Sequence, residues 1–241
     1  MIQRSVKRIS MRALVIDDEL AAQTARERQR LVTAPIIGRT LAGVITQEEY
    51  IAFLTQAFHH VRHTVSLMMA VGARLPDRLS WLRREVVHYA EEEEGHEQWI
   101  LNDIAAAGGD ADAARNSTPS YATDAMVGYA YDTVMRRNPV GFFGMVFVLE
   151  GTSVSLALNA ADQIQCTLGL PTRALSYLRS HGQLDQEHIH HLSGILNRLD
   201  QAEDRDAVLK CARVMFTLYG NVFRELDEIS GAANESLRKI A

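Results

Sequence analysis

Along this chain the apolar positions recur every three to four residues, the period of helices buried on one side, and convincing period-two alternation is absent. Thr46 and Glu49 form a capping box, which predicts a helix from there to Ala73. A second helix is predicted after Pro76-Asp77, stopping at Gly108-Gly109, with a small polar loop from Asp110 to Ser120. Further helices are expected over 123–136, 139–168, 172–199 with a break near Gly182, and 203–229, with a shorter one before Thr33. The five prolines fall at starts and connections, where proline is tolerated. The pattern implies an all-α fold of about seven helices in a single domain. It is expected over 31–230, with a partly helical N-terminal segment 1–30 and a tail 231–241.

Several helices carry polar groups on the apolar stripe itself. Each helical residue advances by about 100°, so Leu82, Val86, Tyr89, Ile100 and Ile104 define one face that includes Glu93 and His96. Glu91 and Glu94 point the other way, and Glu92 lies at the margin, in reserve should the helix be rotated. Gly95, unfavourable inside a helix, suggests close approach of another helix. Glu150 is the only charged side chain between Arg137 and Asp162, among Phe143, Val146, Phe147, Val154 and Leu158. In HGQLDQEHIHHL, His181, Asp185 and His188 share the stripe of Leu184, Leu192, Ile195, Leu196 and Leu199. Glu187 and His190 take the far side, and His191 is marginal. In the first long helix His60 lies on the stripe of Phe53, Ala57, Thr64, Leu67 and Val71, His63 flanks it, and His59 lies nearer the outside.

A lone inward histidine is ordinarily a hydrogen-bonded core residue. An unpaired buried carboxylate is costly unless protonated, paired or metal-bound. Four helices here carry inward acids or imidazoles, two of them as acid-x-x-His pairs, Glu93/His96 and Asp185/His188. Such parts build carboxylate-bridged di-iron and di-manganese bundles, and oxygen and imidazole donors without cysteine suit iron or manganese. The fourth helix offers His60 where that template has a second lone Glu. Two other readings use the same residues: a hydrogen-bonded core or organic-ligand site without redox metal, and a ferritin-like iron-handling bundle. The latter requires the missing Glu.

Net charge −5 and pI near 6.0 leave no basic footprint for nucleic acid; the one basic cluster is Arg4, Lys7 and Arg8. No apolar run reaches the ~18 residues of a spanning helix, so no membrane partner is expected. Cys166 and Cys211 match no metal or redox spacing and read as free thiols, consistent with a cytoplasmic location.

With APIIGRTLAGVITQEEYIAFLTQAFHHVRHT, EEEEGHEQWILNDIAAAGGD, VLEG and HGQLDQEH in this order, the chain resembles the heme-oxygenase-like superfamily. Within it, the chain is most similar to the iron-containing redox enzyme, or heme-oxygenase-like di-iron oxidase, branch, related to thiaminase-II (TenA) proteins and to PqqC. The resemblance implies a heme-oxygenase-like (TenA-like) multi-helix bundle, a homodimer, and one or two Fe2+ ions (manganese being the alternative). The ligands it implies are Glu93, His96, Glu150, His181, Asp185 and His188, with His60 standing where the family adds a Glu. It implies an oxidase or oxygenase acting with dioxygen on a small organic substrate, in a pocket expected near Tyr89, Trp99, Phe143 and Phe147. Thiamin hydrolysis is not implied, since Gln56-Ala57-Phe58 lacks the pyrimidine-binding acid. Nor is heme breakdown, since the first histidine is His59.

Overall fold

A computed structural model describes residues 19–240, with side chains to Asp227. Arg4, Lys7 and Arg8 lie outside the described residues. The helices are α1 (19–32), α2 (Pro35–Leu41), α3 (Gln47–Val61), α4 (Thr64–Arg74), α5 (Ser80–Glu93) and α6 (His96–Ala106). There follow α7 (Ala111–Asn116), α8 (Tyr121–Arg136), α9 (Phe142–Leu168), α10 (Ser176–Arg198) and α11 (Ala202–Ile240). No strand occurs among the described residues, and the all-α expectation holds.

The boundaries explain themselves locally. Thr46 Oγ1 accepts from the Glu49 amide while the Glu49 carboxylate accepts from the Thr46 amide at 2.9 Å, so the capping box starts α3 as predicted. The expected helix to Ala73 is two, turning at Arg62-His63. The expected helix to Gly108 is also two, because Gly95 takes a left-handed φ of 86°. Asp110 caps a short helix inside the predicted loop. Helix α10 runs unbroken through Gly182, whose missing side chain admits Leu158 of α9; a Cβ there would sit 2.8 Å from Leu158 Cγ. The expected boundary near residue 30 falls inside α1, whose Leu20, Thr24 and Leu31 are buried, and α11 continues through 231–240.

Helix α9 is the centre, flanked by α10 and α11. By length and composition Pro139–Leu168 could cross a membrane, contrary to the expectation that no segment qualifies. Here it is a core helix, with 61% of its most apolar window buried. Two apolar bodies pack around it. One gathers α1, α4, α5, α8 and α11 and contains Leu67, Leu82, Met126 and Phe216. The other gathers α3, α6 and the start of α10 and contains Tyr50, Leu54, Ile100 and Leu175. Buried Asp103 of α6 locks the second body: its carboxylate accepts from Ser176 Oγ and from the Tyr177 amide at 2.8 Å, fixing where α10 begins.

Asp204, fully buried in the first turn of α11, locks the first body. It accepts from Arg78 Nη1 at 2.6 Å and Nη2 at 3.0 Å, and from Asn138 Nδ2 at 2.9 Å, joining the connections that precede α5 and α9. Burial pushes its pKa up, but the Arg78 and Asn138 bonds outweigh it and hold the carboxyl below its usual range. Asp204→Ala should destabilise the chain by about 1–3 kcal/mol in denaturant unfolding, because two donors lose their acceptor. With the folded pKa depressed, the contribution is complete above the ordinary value of about 4 and lost as pH falls through the folded one. The wild-type advantage over the variant should therefore shrink on acidification; a gap that widens would contradict this assignment.

Candidate metal centre

Two groups of donors border the same cavity. The first is Glu93, His96 and His181, whose donor atoms all lie within 4.8 Å of one another. Glu93 ends α5 and His96 begins α6, so their pairing is made by the Gly95 turn rather than by one continuous helix as expected. A Cβ on Gly95 would meet nothing within 4 Å, so the glycine serves its left-handed φ and not the close helix approach anticipated. His96 Nδ1 lies 3.1 Å from Glu93 Oε2, and the Trp99 ring covers the imidazole with centroids 4.0 Å apart. His181 donates from Nδ1 to the Tyr177 carbonyl at 3.0 Å, which leaves Nε2 as its free nitrogen.

The second group is Glu150, Asp185 and His188, all buried and again within 4.8 Å. His188 Nδ1 is 3.5 Å from Asp185 Oδ1 and 3.6 Å from Glu150 Oε1, and makes no hydrogen bond. Glu150 Oε2 is buried and has no partner either. On its outer side His188 Nε2 lies 3.4 Å from Glu92 Oε2, and Glu92 Oε1 lies 3.5 Å from Nε2 of the exposed His88. The helical pattern leaves Glu92 at the margin of the inward stripe. The structure brings Glu92 to His188 and Glu93 to His96.

The electrostatics follow from burying three acids together. Burial, then the charges of Asp185, Glu93 and Glu92, raises Glu150 well above the carboxylate range. Burial also works against Glu93, but its bond to His96 and the nearby His181 and His188 bring it below the usual value. His188 is raised, chiefly by Asp185; burial lowers His181.

A cavity of about 160 Å³ adjoins both groups. Glu93, Glu150, Asp185 and His181 reach its wall; apolar residues such as Ile36, Leu41, Phe53, Met145, Leu156 and Phe223 make up most of the rest. None of the four aromatic residues expected there lines it. Phe143 is in the core against Phe142, Phe147 meets Phe216 of α11 edge-on, Trp99 covers His96, and Tyr89 donates to the His188 carbonyl at 3.1 Å. One residue of rotation along α9 separates Phe143 from Phe142, which does line the cavity. The walls given by α2 and by Tyr177, Tyr219 and Phe223 were missed, since no acid or imidazole marks them in sequence.

The other histidines divide. Glu187 and His190 are exposed, as expected. His59, expected outside, is buried with Nε2 2.8 Å from Ser117 Oγ of the segment after α7. His63 pairs with the Tyr131 hydroxyl at 3.1 Å. His191 lies 3.3 Å from Glu85 Oε2. His60 lines the cavity but belongs to neither donor group. Val154 and Leu184, assigned to apolar stripes, are exposed because α9 and α10 turn those positions outward.

The sequence profile described as "Iron-containing redox enzyme" matches residues 51–220, more than half the chain and both donor groups. The chain belongs to the iron-containing redox enzyme family. No curated protein matches its sequence. Among solved structures, a domain of unknown function with a heme oxygenase-like fold from Shewanella denitrificans is 24% identical, with 90% of this chain and 93% of that one covered and a TM-score of 0.79. A TenA homologue from P. horikoshii is 10% identical over 88% and 97% of the two chains, with a TM-score of 0.72. Heme oxygenase-1 from Synechocystis, in complex with heme, is 14% identical over 94% and 99%, with a TM-score of 0.69. These likenesses establish the heme oxygenase-like fold. For this member of the iron-containing redox enzyme family, the pairing of Glu93 with His96 depends on the Gly95 backbone angle. Gly95→Ala should cost about 1–2 kcal/mol from its left-handed φ, read by chemical denaturation; a stabilised variant would mean that the turn is not held as described.

Proposed function

We propose that the chain is a non-heme iron oxidoreductase with a dinuclear centre, acting on a small, mostly apolar substrate. The observation that carries this reading is the pair of converging three-donor groups, with Glu150 Oε2 and His188 Nδ1 buried and unpartnered between the helices. Donor atoms sharing one first-row metal ion sit about 3–4 Å apart, given bonds near 2.1 Å, so groups spanning 4.8 Å suit one ion each after small rotamer shifts. A heme iron offers protein donors only its axial positions, whereas here three donors meet at each of two points. The mixed carboxylate and imidazole set favours iron or manganese.

Glu93, His96 and His181 would hold one ion, and Glu150, Asp185 and His188 the other. Bound ferrous iron would supply the electrons that activate dioxygen. Glu93, Glu150 and Asp185 would neutralise the cations, while Tyr177 through its carbonyl and Glu92 through its carboxylate keep the outer nitrogens of His181 and His188 engaged. The apolar wall excludes water and admits a molecule of modest size. An apolar void of ~150 Å³ accommodates benzene, and this cavity measures about 160 Å³.

Metal analysis tests the reading. Protein loaded anaerobically with ferrous iron should carry up to about two ions per chain. Glu150→Ala should lose most of that metal, and Glu94→Ala, at an exposed position, should lose none. Wild-type protein holding under about 0.2 ions per chain would favour the metal-free, ligand-binding reading instead.

Glu92 gives a separate test. Glu92→Ala should weaken metal binding about 10–100-fold, as loss of a carboxylate behind a ligating histidine does, with the number of ions at saturation unchanged. Loss of a whole ion would make Glu92 a ligand.

A further inference from the structure

The cavity contains a polar feature that the donor groups do not use. His60 is 3% exposed and lines the cavity, and its Nδ1 has no hydrogen-bond partner. Its ring is held edge-on by Tyr219, with centroids 5.9 Å apart. Ser153, one turn beyond Glu150, also lines the cavity with a buried, unpartnered Oγ. Neither residue belongs to a donor group.

Two other hydroxyls on the cavity wall are already engaged. The Tyr50 hydroxyl donates to the Ala174 carbonyl at 2.7 Å, and Thr152 Oγ1 to the Val148 carbonyl at 2.6 Å. No lysine or arginine lines the cavity, so its wall offers an anionic substituent no permanently cationic side chain. Burial lowers the His60 pKa to about 3, so its imidazole stays neutral, with one N–H and one lone pair. A buried polar atom without a partner is costly, and a ligand that supplies one gains that energy.

We propose that His60, assisted by Ser153, is a substrate-anchoring residue rather than a metal ligand. The substrate it selects is a small, uncharged, mainly apolar molecule whose one hydroxyl, carbonyl or amide group pairs with His60. This rests on the cavity being the substrate site of the proposed metal enzyme.

Benzene and phenol are suitable probes, since they differ by a single hydroxyl and match the cavity in size. Their binding to the full chain, loaded with cobalt(II), would be followed by calorimetry, with the cobalt spectrum and cobalt content recorded alongside. Wild type should prefer phenol about tenfold, the value of one buried hydrogen bond, without a change in the cobalt spectrum. His60→Leu should abolish the preference while retaining benzene binding and the full cobalt content. Ser153→Ala should reduce the preference by a smaller factor, and this variant serves if His60→Leu does not fold.

Equal binding of the two probes by wild type would overturn the proposal. So would a cobalt spectrum shifted by phenol, which would put the anchor on the metal, or cobalt lost in His60→Leu, which would make His60 a ligand. If wild type takes up no cobalt, the metal reading fails. A phenol preference in the metal-free chain, abolished by His60→Leu, would still sustain the anchoring role.

Discussion

Three carboxylates share one buried, mostly apolar site, and much of the architecture answers to that constraint. Glu93, Glu150 and Asp185 repel one another, and each resists leaving water. The neighbours that oppose this are imidazoles, not lysines or arginines. Glu150 bears the consequence most fully: burial and the neighbouring acids raise its pKa well above the carboxylate range, and one of its oxygens has no partner. A cation would relieve such a cluster, since it satisfies several lone pairs at once. The same residues that frustrate the metal-free site would therefore be relieved by metal.

Holding that arrangement needs rigid elements, and the two apolar bodies provide them. Helix α9 carries Glu150 between them, while α10 carries His181, Asp185 and His188 along its flank. Asp103 fixes the start of α10 against α6, the helix that begins at His96. A shift of α6 relative to α10 would pull His96 from His181, whose ring centroids are 4.9 Å apart. The cavity opens where the two bodies meet, which is why it draws on residues far apart in sequence, from Ile36 to Phe223.

How much of this could be read in the sequence depended on whether one helix contained the whole signal. Glu150 was legible because a single charge interrupts an apolar stretch, and Asp185 and His188 because their spacing puts them on one face. Glu93 and His96 also share a face on the periodicity of one continuous helix, which the structure breaks at Gly95. The Gly95 turn happens to preserve the pairing. Where a partner came from another element, the pattern carried no information. His59 is buried because Ser117 completes its hydrogen bond, and Phe147 leaves the cavity because Phe216 receives it. The walls of the cavity are ordinary apolar residues, indistinguishable in sequence from any other core.

The orientations of the two α10 histidines bear on what the fold has been adapted to do. Heme oxygenases and TenA homologues share this fold, so the fold alone does not select the chemistry. A core histidine whose role is merely structural should satisfy both ring nitrogens where it can. His181 engages one, through the Tyr177 carbonyl, and leaves the other free. His188 directs Nε2 to Glu92 and turns an unpartnered Nδ1 toward two acids. In both rings the outer nitrogen has a partner and the other remains available. Imidazoles that bind metal are commonly oriented in this way, the outer partner fixing the tautomer and raising the basicity of the inner nitrogen. Two such rings, one in each donor group, are hard to reconcile with a core network that merely satisfies itself. They are the orientations that the proposed metal centre would require.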